Sequence, residues 1–167
     1  MKFLQHVFMI ILLVISACKT NEYSFLKNYE YKDIPIIDST SFANHVYDKL
    51  LTKQQQKLLS IDSIFGEKLD PKTTVGISYL PEISSNYKSI VYYFYIDHKE
   101  LISMLVNYTE DYKIINSQMI AYDEIADGVL KTIGKIYSDK IVLQEFVTDI
   151  PTEIQFNILE NGDITRK

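Results

Sequence analysis

Cysteine is almost absent from this chain of 167 residues, which holds one, Cys18. An internal disulfide needs two, so no bridge staples the fold. Histidine is scarce as well, with His6, His45 and His98, and zinc centres built from several Cys and His ligands are excluded by supply. The five glycines, Gly66, Gly76, Gly128, Gly134 and Gly162, stand at spacings that match no phosphate-cradling loop. No G-x-S-x-G elbow marks a nucleophilic serine, and Gly76-Ile77-Ser78 is no substitute. Positive charge forms no block or stripe: 17 Lys and Arg are scattered among 22 Asp and Glu, for a net charge of −5. Phosphate neutralisation dominates nucleic-acid affinity, which argues against nucleic acid as a partner. Nor does any apolar run reach the roughly 20 residues of a membrane-spanning helix.

What is present is an ordinary globular composition, 47% hydrophobic, with 13 Tyr and 8 Phe and no Trp. A chain of this length and apolar content is expected to form a single domain with a buried core.

The N-terminus has a distinct pattern. Lys2 precedes an apolar run, Val7 to Ile15, which ends in the small pair Ser16-Ala17 before Cys18, and polar Lys19, Thr20, Asn21 and Glu22 follow at once. Residues 1–17 therefore read as a signal peptide. The segment Ile15-Ser16-Ala17-Cys18 resembles the lipobox of bacterial lipoproteins: an aliphatic residue, two small ones and a cysteine. That resemblance implies cleavage between Ala17 and Cys18, a diacylglyceryl group on the Cys18 thiol, and a further acyl chain such as palmitate on the new amine. Ordinary signal cleavage after Ala17 prefers a small residue at the third position before the cut, where Ile15 stands. Two or three acyl chains, at about 0.8 kcal/mol per buried methylene, make a stable membrane anchor. Lys19 directly after the cysteine, in place of the aspartate that retains enteric lipoproteins at the inner membrane, implies the outer membrane of the envelope. The wealth of Ile, Lys, Tyr and Asn resembles that of a Bacteroidetes-type small envelope lipoprotein. Removing residues 1–17 takes away one base, Lys2, and leaves a mature charge of −6.

Residues 18–38 are polar with scattered aromatics and read as a tether, and 39–167 as one α+β domain. Within it, Phe42, Val46 and Leu50 recur every four residues and predict a first helix begun at Ser39, Thr40 or Ser41. Thr52 and Gln55 have capping-box spacing, which predicts a second helix over 53–59. Seven segments rich in β-branched and aromatic residues follow, at 74–80, 88–96, 100–108, 113–122, 128–136, 140–148 and 153–159. The links between them, among them Asp97-His98 and Asn161-Gly162, are too short for parallel crossovers and predict an antiparallel meander of about six or seven strands with the helical segment packed on it. Strand 90–96 is apolar on both faces and belongs at the centre.

Candidate sites are few. Tyr92, Tyr93 and Tyr95, with Tyr87 nearby, would make an aromatic binding surface if they faced outward, although sheet packing explains them equally. Asp97-His98-Lys99-Glu100 reads as a solvated hairpin tip, His45 as a boundary residue of the first helix, and Asp123-Glu124 with Asp127-Gly128 as a strand end and turn. Asp38-Ser39-Thr40 and Asp62-Ser63-Ile64 resemble acceptors of Bacteroidetes O-glycosylation, and serve equally as helix starts and turns. No catalytic residue, metal or cofactor is indicated. The expectation is a non-catalytic, lipid-anchored envelope protein that binds a macromolecule or glycan through a sheet face. An envelope inhibitor or immunity protein, and an enzyme without a recognisable motif, remain as alternatives.

Overall fold

The computed structural model describes residues 22–65, 69–125, 130–147 and 150–167. The chain divides into Met1–Glu30 and Tyr31–Lys167. In the first unit the described part carries a 3-10 turn, Ser24–Asn28. The second contains ten strands in one sheet: β1 (Tyr31–Asp33), β2 (Ile36–Asp38), β3 (Thr74–Glu82), β4 (Lys88–Ile96), β5 (Glu100–Tyr108), β6 (Ile114–Glu124), β7 (Lys131–Ile136), β8 (Lys140–Phe146), β9 (Thr152–Ile158) and β10 (Ile164–Arg166). Among the described residues one short α-helix, α1 (Lys53–Leu58), accompanies them. No helix among these residues is long and apolar enough to cross a membrane.

From β3 to β10 each strand pairs antiparallel with the next. The connections carry the turn chemistry their sequences call for. Asp97 and His98 take φ of 45° and 58°, and the Lys99 N–H donates to the Ile96 carbonyl, which makes a two-residue hairpin turn matched to the strand twist. The extra segment is β1–β2. β1 runs parallel to β3, the chain turns at Ile34-Pro35 through a cis peptide, and β2 pairs antiparallel with β7. Eight residues, Tyr31 to Asp38, thus link the first strand of the meander to its fifth.

That link is geometrically possible because β6 and β7 pair only at Tyr122↔Thr132 and Asp123↔Lys131, after which β2 takes over the edge of β7 with Ile36↔Ile136 and Asp38↔Gly134. The interior cluster draws Tyr79, Val91, Leu105 and Ile120 from β3–β6 and Ile36, Ile136, Ile141, Leu143, Ile158 and Ile164 from the other strands. The sheet therefore closes around an apolar core. Strand β4 is buried on both sides, as its unbroken apolar run requires. On the side of Tyr92 and Phe94 lie α1 and the turn after it: the Tyr108 hydroxyl donates to the Leu59 carbonyl at 3.0 Å, and Phe65 sets its edge against Phe94.

The expected α+β class is overturned by this architecture. The protein is predominantly a β-sheet fold. The second helix and its capping box form, with reciprocal bonds between Thr52 and Gln55. The first helix does not. Side chains in 38–44 capture the backbone donors and acceptors that a helix would use: Thr40 N–H donates to Asp38 Oδ1, Ser41 N–H to Asn44 Oδ1, and the Asn44 amide to the Ser39 carbonyl. Lys49 then takes φ 56°, which no α-helix accommodates, and Leu50 bridges to Gly76. The stretch 18–38 read as a tether also ends early, because the sheet begins at Tyr31.

Candidate functional site

Strand β2 delivers Asp38 to the interior, where it is 3% exposed. A buried carboxylate is tolerated only when its oxygens are hydrogen-bonded. The Tyr79 hydroxyl donates to Oδ2 at 2.7 Å and the Thr40 N–H to Oδ1 at 3.0 Å. Burial, and then the adjacent Asp38 charge, push the Tyr79 hydroxyl far above its usual range, so it stays a neutral donor. Lys32 lies with Nζ 4.5 Å from the centre of the Tyr79 ring.

Beyond Asp38 the segment 39–51 passes over the sheet without regular structure. The Phe42 N–H donates to Asp123 Oδ2 at 2.9 Å, the Tyr93 hydroxyl donates to the Asp48 carbonyl at 2.6 Å, and the Leu51 N–H donates to the Val75 carbonyl at 2.9 Å. Between these ties His45 is gripped by two aromatic edges, Tyr93 at 4.3 Å and Tyr47 at 4.7 Å between ring centres. Burial lowers its pKa, against the opposing pull of Asp38 and Asp48. Its ring is therefore neutral at pH 7. The Tyr93 ring fits here because its cross-strand neighbour is Gly76, where a Cβ would overlap it.

Beneath the segment β3 changes register between Ile77 and Tyr79, a bulge that leaves Ser78 without a cross-strand partner. Lys32, Asp38, His45, Asp48, Ser78 and Tyr93 are among the residues lining a cleft of about 330 Å³. Two polar atoms of lining residues, His45 Nε2 and Ser78 Oγ, lie buried behind its surface without a hydrogen-bond partner. The residue types of a serine hydrolase thus share one cleft without the connections of a triad. Ser78 and His45 are not bonded to each other, and the oxygens of Asp38 are engaged by Tyr79 and Thr40.

The other sequence candidates fall elsewhere. Ala17 and Cys18, with the whole Ile15-Ser16-Ala17-Cys18 segment, lie outside the described residues, as do Asp127 and Gly128. Tyr92 and Tyr93 are buried, and so is Tyr87; only Tyr95 is partly exposed. A flat tyrosine platform therefore does not exist on β4. Alternation sends Tyr92 to one covered face, where its hydroxyl meets that of Tyr108 at 2.9 Å, and sends Tyr93 and Tyr95 to the other, where Tyr95 packs on Phe42 and Tyr47. His98 sits exposed on its hairpin turn. Asp123 ties down Phe42, and Glu124 accepts from the Tyr122 hydroxyl. Ser39 and Thr40 are half-buried at the cleft, whereas Ser63 is exposed in a 3-10 turn with its hydroxyl donating to the Ser60 carbonyl. Among the described residues no group of three or more His, Cys, Asp or Glu could hold a metal ion.

Sequence reasoning names Asp38 only within an O-glycosylation acceptor, sets Ser78 aside with Gly76-Ile77-Ser78, and places His45 on a helix. The pairing that builds the cleft joins residues 41 positions apart, and no local pattern signals it. No family model matches the chain, and no curated protein or solved structure matches it either.

Proposed function

We propose that this protein is a lipid-anchored protein of the bacterial envelope that binds a small ligand in the Asp38 cleft without transforming it. The observation that carries the anchor is Cys18: the only cysteine of the chain follows a short apolar run and the pair Ser16-Ala17. An acylated Cys18 also accounts for a lone thiol in an exported protein, which otherwise stands exposed to oxidation. Lys19 favours the outer membrane. The cleft supports the binding role because its volume suits a small molecule and its lining gathers several polar side chains that can fix one. The lack of a hydrogen bond between Ser78 Oγ and His45 Nε2 supports binding over hydrolysis, since a nucleophile needs its base within hydrogen-bond reach.

Detergent phase partitioning of cells expressing wild type and Cys18→Ala tests the anchor. Wild type is expected in the detergent phase, and the variant in the aqueous phase or as an uncleaved precursor. Wild type in the aqueous phase would refute the anchor.

A further inference from the structure

We infer that the cleft beside Asp38 accepts a neutral, polyhydroxylated ligand, a sugar unit of a glycan, through His45 Nε2, Ser78 Oγ and the Asp38 carboxylate. The inference rests on the binding role proposed above and names its ligand class. Three features of the wall point the same way. First, the two buried atoms without partners are an imidazole nitrogen and a hydroxyl, and a ligand hydroxyl complements both because it donates and accepts at once. Leaving such groups unpaired is costly, so a ligand that pairs them gains more than one that merely fills space. Second, Asp38 accepts one bond at each oxygen and keeps acceptor capacity for a ligand O–H, since a carboxylate offers about four lone-pair sites.

Third, the charges of the lining disfavour an anion, which meets the carboxylates of Asp38 and Asp48, while Lys32 over the Tyr79 ring already supplies a cation beside them. A neutral ligand avoids that repulsion and the larger desolvation cost of a formal charge of either sign. The volume, about 330 Å³, sits at the small end of ligand sites and suits one or two sugar rings rather than a long chain.

Entry has a structural consequence. His45 Nε2 and Ser78 Oγ are closed off from solvent, so a ligand reaches them only by lifting part of segment 39–51. The hold to be loosened is the Tyr93 hydroxyl on the Asp48 carbonyl, together with the aromatic grip on His45. Binding therefore moves the His45 ring relative to Tyr93 and Tyr47.

The test is NMR of the acylated chain in detergent micelles, following the His45 imidazole resonances, which are told apart from those of His98 by comparison with His45→Gln. The probes are galactose, mannose and N-acetylglucosamine as neutral sugars, glucosamine as a cation, glucuronate as an anion, and a small-molecule extract of the bacterial envelope. At least one neutral sugar is expected to shift His45 and to bind more tightly than either charged sugar. Ser78→Ala, a variant that leaves the strand pairing intact, should weaken that binding about fivefold, the loss of one neutral hydrogen bond. Tighter binding of glucosamine or glucuronate overturns the ligand class and keeps the cleft as a site. A His45 shift by the extract alone does the same. His45 unmoved by every probe overturns both the class and the binding role.

Discussion

The Tyr79 hydroxyl reaches the Asp38 carboxylate at 2.7 Å, joining β3 to a strand 41 residues earlier in the chain. This bond explains how β2 can end on a charge inside the fold. It also sets one wall of the cleft. Tyr79→Phe removes the donor and leaves a buried carboxylate with one fewer bond, which should cost about 2 kcal/mol. In a domain of this size that is a fall of about 4–8 °C in melting temperature, read by circular dichroism. A variant as stable as wild type would show that the bond contributes nothing.

His45 predicts a pH dependence with a definite sign. Its pKa in the folded chain lies below the ordinary 6.5 because burial outweighs the attraction of Asp38 and Asp48. The unfolded chain therefore binds more protons as the pH falls through 6.5. The stabilising contribution is complete above 6.5 and is lost as the pH drops from there toward the lowered folded value. Denaturation series at intervals from pH 7.5 to 5 should show a steeper loss of stability for wild type than for His45→Gln. Equal slopes would mean that the ring is solvated.

Two glycines distinguish a soft contact from a hard one. A Cβ at Gly76 would overlap the Tyr93 ring, which can swing away by surrendering its bond to the Asp48 carbonyl. Gly76→Ala should therefore cost about 1–3 kcal/mol and loosen segment 39–51. A Cβ at Gly134 would overlap the Ile120 carbonyl, which is backbone of β6 and cannot rotate aside. Gly134→Ala should be the more damaging, as measured by urea denaturation or soluble yield. The reverse order would contradict the packing of β6 over β7.

The two kinds of legibility in this chain have physical causes. The positions of β3 to β9 are readable to within a few residues because alternation and β-branched residues are local signals, and the double burial of β4 follows from its unbroken apolar run. Thr52 and Gln55 likewise announce α1 through residues three apart. Strands β1, β2 and β10 escape notice because three residues carry no readable period. The first helix is misread because Phe42, Val46 and Leu50 mimic a helical stripe, yet Val46 and Leu50 are 69% and 54% exposed and only Phe42 packs inward. The tyrosines of β4 offer two readings, an exposed aromatic surface or sheet packing, and the burial of Tyr92 and Tyr93 decides for packing. The cleft depends on Asp38, His45 and Ser78, whose meeting is set by the β1–β2 link and the bulge in β3, and neither leaves a mark in the local sequence.

The claim that this is a lipid-anchored envelope protein is tested most directly by mass spectrometry of the N-terminal peptide of the mature protein extracted from bacterial membranes. The account predicts a chain that begins at Cys18 and carries a diacylglyceryl group on its thiol. An unmodified chain beginning at Cys18, or one beginning at any other residue, would contradict it.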